Sequence, residues 1–118
     1  MDTNKFTKKA LDALNAAQNL ALERHQQQIC KEHVAYALLN DEEGLIPKLV
    51  TKCGADAPQL LREIDRLISQ MPSVTGSGAG EAYLSQDCSL MLSQAEKDAK
   101  KQGDDYVSVE HIFSAIID

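Results

Sequence analysis

The sequence has no tryptophan, and its other aromatic residues, two Phe and three Tyr, make up 4% of 118 residues. So few aromatic side chains argue against a surface on which successive nucleic-acid bases stack. Basic residues are in deficit too, because 12 Lys and Arg stand against 18 Asp and Glu and leave a net charge of −6. Repulsion from phosphate therefore makes nucleic acid an unsuitable partner.

Long apolar runs and a disulfide framework are also missing. No run of about 18 apolar residues is present, which argues against a membrane-spanning helix. The N-terminus enters an amphipathic segment without the apolar core of a signal peptide, so the sequence predicts a cytoplasmic protein. Cys30, Cys53 and Cys88 are an odd number of cysteines at wide spacing, and we expect all three to be reduced thiols.

Motifs for catalysis and cofactor binding are absent as well. The chain contains neither a Gly-x-x-x-x-Gly-Lys-Ser/Thr phosphate loop nor a Gly-x-Ser-x-Gly nucleophile elbow. Cys30 and His33 have the spacing of two zinc ligands, but no second pair completes a set of about four. The same pair lacks a third group to orient a nucleophile. We therefore expect no enzyme, no metal site and no cofactor in this chain.

What the chain does contain is an internal repeat. Residues 6–40 align with residues 84–118 without a gap, at a constant offset of 78 positions (84 − 6). The dipeptide Glu32-His33 recurs as Glu110-His111, and the apolar positions around it stay apolar. The identical positions of the first copy are Leu14, Ala17, Ala21, Glu32, His33 and Ala37. Such a repeat predicts two copies of one structural unit.

Apolar periodicity and capping residues predict an all-α fold. Thr7 is a good N-cap for a first helix that fades near Arg24. Further helices are predicted over about 31–39, 45–52, 57–71, 85–102 and from 109 onward, with caps at Asp56, Ser85 and Ser108. The apolar stripe of the fourth helix consists of Leu60, Leu61, Ile64, Leu67, Ile68 and Met71. No segment shows the alternation of a β-strand.

The repeat divides the chain into two units. Residues 1–72 form the first, with four helices, and residues 83–118 form the second. A Gly/Ser-rich linker over 73–82 joins them. The second unit stops at Asp118, the residue that matches Asn40, so counterparts of the third and fourth helices are missing. We expect the apolar faces of the last two helices to be only partly covered.

The Glu-His dipeptides allow a structural and a functional interpretation. A carboxylate in the first turn of a helix is stabilised by the helix dipole by roughly 0.3–1 kcal/mol, which is the simplest role for Glu32 and Glu110. The alternative is a pair of related anionic pockets, since a carboxylate accepts two hydrogen bonds from a guanidinium group. For His33 and His111 we expect packed side chains that are hydrogen-bonded to the backbone.

The repeated dipeptide and its surroundings resemble a known family. The matching stretches are Lys5-Phe6-Thr7, Ala17-Gln18-Asn19-Leu20-Ala21, Glu42-Glu43-Gly44-Leu45-Ile46-Pro47, Tyr83-Leu84-Ser85-Gln86 and Tyr106-Val107-Ser108-Val109-Glu110-His111. They are similar to the N-terminal domain of Clp-type heat-shock ATPases, which carries a tandem Clp repeat. Together with Val74-Thr75-Gly76-Ser77-Gly78, they resemble most the branch of the ClpB-type protein disaggregases.

The resemblance implies a fold and a role. The fold is a pseudo-two-fold bundle of short helices, four per repeat, with the second repeat here stopping after its second helix. The role is recruitment of unfolded or aggregated polypeptide, or of adaptor proteins, for ATP-driven threading by a hexameric ring. ATP and Mg²⁺ belong to the ring domains, which this chain does not contain.

The resemblance also implies site residues. In this family an apolar groove between the repeats contacts substrate, and polar residues near helix starts border it. At the matching positions this chain has Thr7, Asp104 and Glu110. In the related ClpC branch the Glu of each Glu-His motif binds phosphorylated arginine, which implicates Glu32 together with Glu110.

Three alternatives to recruitment of unfolded chains stay open. The first is phosphoarginine binding, as in the ClpC branch. That branch has Gly-Thr before each Glu-His, whereas this chain has Cys30-Lys31 and Ser108-Val109, so phosphoarginine binding ranks below recruitment. Docking of a folded adaptor for a Clp protease is another. The third is a helical scaffold with no substrate.

Overall fold

The structure, a computed structural model, describes residues 3–73 and 82–117. The predicted all-α class is confirmed. After a short 3-10 turn at Thr3–Lys5, the elements are α1 (Lys8–Glu23), β1 (Gln28–Ile29), α2 (Lys31–Asn40), α3 (Leu45–Lys52), α4 (Ala57–Ser69), β2 (Tyr83–Leu84), α5 (Gln86–Lys101) and α6 (Val109–Ile117). Most of the predicted linker, residues 74–81, lies outside the described residues.

Helices α1, α4 and α5 begin where the predicted capping residues stand. The Thr7 hydroxyl accepts the Ala10 N–H at 3.1 Å. In the equivalent place of the second repeat, the Ser85 hydroxyl accepts the Cys88 N–H at 3.0 Å. The Asp56 carboxylate accepts the Gln59 N–H at 3.2 Å and starts α4. Each side chain satisfies a backbone donor that has no partner within its helix.

The repeat offset of 78 is the offset of the helices themselves. Helix α5 begins 78 residues after α1 (86 − 8), and α6 begins 78 residues after α2 (109 − 31). Each repeat therefore contributes one long helix, a connector and one short apolar helix.

A short parallel strand pair and a single parallel β-bridge join the repeats, and the sequence predicted neither. Strand β1, in the connector of the first repeat, pairs with β2, which leads into α5. Phe6, which precedes α1, pairs in the same way with Val107 in the connector of the second repeat. The Ser85 N–H donates to the Ile29 carbonyl at 3.0 Å, and the Thr7 N–H donates to the Val107 carbonyl at 3.0 Å. Each repeat thus gives the other the same backbone bonds.

One apolar core runs through both repeats. Helix α6 packs against α1, α2 and α3 of the first repeat as well as against α5. The core holds Phe6, Leu14, Val34, Leu38, Ile46, Cys88, Leu92 and Ile112, among others. Shared burial of this kind fixes the second repeat on the first.

The predicted apolar stripe of α4 is wrong at Leu67, and its last member, Met71, lies beyond the end of the helix at Ser69. Ile68 is fully buried, and Leu60, Leu61 and Ile64 are partly buried against the core. Leu67 is instead 42% exposed, because it lies outside the face that packs on α2. On the second repeat Leu90 and Ile117 are exposed. Within the described residues, no helix combines the length and apolar character needed to span a bilayer.

Candidate functional site

The two repeats enclose an apolar groove that we call the interrepeat groove. It has a volume of about 550 Å³ and is formed by α1, α2, the start of α3 and the start of α6. Its lining consists of Thr7, Lys9, Asp12, Ala13, Ala16, Ala37, Leu38, Asp41, Glu43, Gly44, Leu45, Ile46, Ser108, Val109 and Glu110. We call its small and aliphatic side chains the floor and its exposed charged side chains the rim, which consists of Lys9, Asp12, Asp41, Glu43 and Glu110.

The structure brings some of the predicted site residues together and separates others. Thr7 and Glu110 both line the interrepeat groove. Glu110 also lines a second cavity of about 680 Å³, which contains Asp104. Glu32 lies in a third cavity of about 530 Å³ with Cys30.

The third cavity is the pseudo-symmetric counterpart of part of the interrepeat groove. Subtracting or adding the offset of 78 converts Thr7 to Ser85 and Glu110 to Glu32, and these two residues line the third cavity. The charges differ, however. Lys9 corresponds to Asp87, and Val109 corresponds to Lys31. The two cavities therefore share a framework but not an electrostatic character.

His33 is a fully buried part of the first repeat's framework. Its Nδ1 accepts the Cys30 N–H at 2.9 Å, and its Nε2 lies 2.7 Å from Gln26 Oε1. Because Nδ1 accepts a backbone N–H, the neutral ring carries its proton on Nε2 and donates it to Gln26. The Gln26 amide in turn donates to the Ile68 carbonyl at 2.8 Å, which holds the end of α4. The predicted packed, backbone-bonded histidine is confirmed.

His111 repeats this arrangement with a different partner. Its Nδ1 accepts the Ser108 N–H at 2.9 Å, and the Ser108 hydroxyl lies 3.0 Å from the same atom. Its Nε2 lies 2.9 Å from the Asp104 carboxylate. Asp104 occupies the position equivalent to Gln26 (104 − 78). The second repeat thus has a half-exposed carboxylate where the first has a buried amide. The offset could have identified this pairing, but sequence reasoning missed it.

The cysteines beside the third cavity are poor nucleophiles. Burial raises the pKa of Cys88 to about 12, with a smaller contribution from Cys30. Burial also raises the pKa of Cys30, against the effect of a hydrogen bond with Ser85. Since the thiolate is the reactive form, both thiols are held in their unreactive state near neutral pH. Within residues 3–73 and 82–117, no three His, Cys, Asp or Glu residues are grouped to hold a metal ion.

Mild acid is expected to destabilise the fold through His33. Burial lowers the pKa of His33 below its ordinary value, while Glu32 opposes and Arg24 adds to this effect. The unfolded chain, with a histidine pKa of about 6.5, then binds a proton that the folded protein does not. The free energy of unfolding should therefore fall as the pH drops below about 6.5, until the lower folded-state pKa is reached.

Urea unfolding between pH 7.5 and 5.5 measures this dependence. The exposed His25 provides a matched control. His33→Gln should flatten the pH dependence, whereas His25→Gln should preserve it. If the free energy of unfolding of His33→Gln depended on pH as steeply as that of the unmodified protein, His33 would not be the source of the pH dependence.

Comparison of the sequence with known proteins identifies its family. The chain matches the family model "Clp repeat (R) N-terminal domain" over residues 5–118. It is 38% identical over 117 residues to the chaperone protein ClpB of Bacillus anthracis, which covers 98% of this chain. It spans only 14% of the length of that relative.

Solved structures share the fold. The Hsp104 N-terminal domain from Candida albicans superimposes with a TM-score of 0.85 at 24% identity, covering 97% of this chain and 74% of that one. A complex of a ClpV N-domain with a VipB peptide superimposes with a TM-score of 0.76 at 18% identity, covering 95% of this chain and 67% of that one.

Proposed function

The chain belongs to the Clp repeat N-terminal domain family, and on this premise we propose that it recruits polypeptide by binding exposed apolar segments in the interrepeat groove. It acts by binding and carries out no catalysis itself. In a longer, ClpB-like protein, ring domains that hydrolyse ATP would unfold what this domain has captured. The substrates are unfolded or aggregated chains.

The apolar floor of the interrepeat groove carries the proposal. Ala13, Ala16 and Ala37 leave space between the helices, above the buried Leu38 and Ile46. The exposed Leu45 and the half-buried Val109 offer aliphatic surface to a ligand. A volume of about 550 Å³ accommodates a few side chains of a bound segment. Burial of apolar area is non-directional, so such a floor accepts many different sequences. This property is what a recruiter of misfolded chains requires.

Thr7, Asp104 and Glu110 remain the proposed polar border of this site. Thr7 and Glu110 lie at the two helix starts that flank the groove. Asp104 lies in the neighbouring cavity, which shares Glu110 with the groove. Glu32, in the third cavity, would belong to a separate binding site. Around the groove, Asp12, Asp41 and Glu43 add further negative charge, which disfavours an anionic phosphoarginine there.

Affinity for one segment should be weak. A single open groove buries limited area, and ordering a flexible chain opposes binding. Several copies of the domain on one ring would raise the effective concentration of a client that has more than one apolar segment. Capture by the assembled protein would then be tighter than capture by one domain.

Removing apolar surface from the groove is expected to weaken binding. Leu45 lines the groove and is 41% exposed, whereas Leu67, outside the lining, is 42% exposed. Leu45→Ser should raise the Kd for a fluorescein-labelled, permanently unfolded polypeptide by about tenfold. The variant has less apolar side-chain area to bury against the ligand, so binding is weaker. Leu67→Ser, the matched control, should leave the Kd unchanged in a fluorescence anisotropy titration. Equal Kd values for both variants would place the binding site elsewhere.

Adaptor docking is the second candidate function. The related ClpV N-domain has been seen in complex with a VipB peptide, which favours a defined peptide as the ligand of that protein. A folded adaptor that binds while unfolded chains do not would support this alternative. Amide shifts in an NMR titration with the unfolded polypeptide separate recruitment of unfolded chains from adaptor docking and from a scaffold without substrate. Shifts at Thr7 and Glu110 are expected, and their absence at high ligand concentration would overturn recruitment.

A further inference from the structure

The rim of the interrepeat groove carries a strong excess of negative charge. Its lining contains the carboxylates of Asp12, Asp41, Glu43 and Glu110, and Lys9 is the one cation among these lining residues. Among residues 3–73 and 82–117, none of these four carboxylates forms an ion pair or a side-chain hydrogen bond. Their charge is therefore not neutralised within the described part of the protein.

The four carboxylates come from three separate elements. Asp12 lies on α1, Asp41 and Glu43 lie in the turn between α2 and α3, and Glu110 lies at the start of α6. They consequently border the groove from α1, from the α2–α3 turn and from α6. Charges of one sign around a low-dielectric concave surface focus their field on whatever enters.

The pseudo-symmetric third cavity does not share this excess, although the second cavity, which adjoins the groove at Glu110, is acidic as well. In the third cavity, Lys31 immediately precedes Glu32 and places a cation next to the repeated carboxylate. At the equivalent position before Glu110, the groove has Val109. The replacement removes a positive charge and adds apolar surface in the same step. Glu110 therefore faces the groove without a compensating neighbour in its own helix turn.

We propose that the interrepeat groove selects apolar segments that carry a Lys or Arg side chain next to their apolar residues, and discriminates against segments with Asp or Glu there. The inference rests on the proposed function, because it names the class of segment that the same groove prefers. The apolar side chains would contact the floor, and the cationic side chain would pair with a rim carboxylate.

Three peptides of identical apolar core test the selection. One has flanking Lys and Arg, one has flanking Asp and Glu, and one has flanking Ser. Fluorescence anisotropy at low salt should give a Kd about tenfold lower for the basic peptide than for the acidic one, with the neutral peptide between them. The difference should shrink at about 0.5 M salt, because salt screens exposed charges. Equal Kd values overturn the selection but leave recruitment intact, whereas absence of binding by all three overturns both.

Two rim variants of opposite expected sign assign the selection to the groove. Glu110→Gln should weaken binding of the basic peptide about threefold, and Lys9→Gln should strengthen it by a similar factor. Both variants should change binding of the neutral peptide less than they change binding of the basic peptide. Glu23→Gln is the matched control, since Glu23 is exposed at the end of α1 and outside the groove lining. If Glu110→Gln behaves like Glu23→Gln, the rim does not select charge.

Discussion

Replacing His33 by alanine is expected to lower the free energy of unfolding by about 3 kcal/mol. The side chain is fully buried, and each of its two ring nitrogens has a hydrogen-bond partner. Its removal leaves the Cys30 N–H and the Gln26 carbonyl oxygen without their partners. It also leaves a cavity that the surrounding helices cannot fill completely. Gln26 would lose its fixed orientation and with it the bond to Ile68 that holds the end of α4.

His111→Ala is the matched comparison in the second repeat. Its partner Asp104 has a side chain that is 49% exposed, so water can replace the lost hydrogen bond. A smaller loss of about 2 kcal/mol is therefore expected, because removal of this buried ring still leaves a cavity and the Ser108 N–H without its partner. Urea denaturation followed by circular dichroism measures both variants under the same conditions. Equal losses would show that the two histidines contribute alike and that the exposure of Asp104 is irrelevant.

Ile112→Ala is expected to cost about 3 kcal/mol of stability and to impair binding as well. Ile112 is fully buried on α6, the helix that packs against α1, α2 and α3. Removing most of a core isoleucine typically costs 2–5 kcal/mol, since a cavity remains. Because the start of α6 supplies Val109 and Glu110 to the interrepeat groove, looser docking of this helix should widen the groove and raise the Kd for apolar segments.

Ile117→Ala is the control for Ile112→Ala, because it makes the same substitution at an exposed position. Ile117 lies on the same helix but is 67% exposed. Its replacement should change the free energy of unfolding by less than about 0.5 kcal/mol and leave the Kd unaltered. Thermal and urea unfolding, with anisotropy titrations on the same samples, give both quantities. A loss in Ile112→Ala no larger than that in Ile117→Ala would mean that the second repeat is not packed on the first as described.

Local features of the fold could be predicted from the sequence. Helix α3 begins at Leu45 and ends at Lys52, as predicted, and Thr7, Asp56 and Ser85 cap the helices that they were expected to cap. These outcomes depend on residues within one turn of each other. A capping side chain, an apolar period and a helix-breaking residue are sufficient to define them.

Features that depend on contacts between distant segments could not be predicted. Leu67 continues the apolar period of α4, yet its side chain is exposed. The face of α4 that packs on the rest of the protein is narrower than the apolar stripe in the sequence. Strands of two residues carry no alternation to recognise, so β1 and β2 escaped notice. The contribution of Leu45 and Glu43 to the groove depends on how α3 packs beside α6. That geometry follows from the tertiary fold alone.

The reciprocal pairing of β1 with β2 and of Phe6 with Val107 has the symmetry of a dimer interface. Two separate copies of one repeat would satisfy the same bonds about a two-fold axis, which is the interface of a symmetric homodimer. The present chain has that interface with both subunits joined covalently. Within one chain the halves need not be identical, and they differ at the equivalent positions Gln26 and Asp104 and at Lys31 and Val109. A true homodimer would have two equal grooves, whereas this chain could specialise one of them.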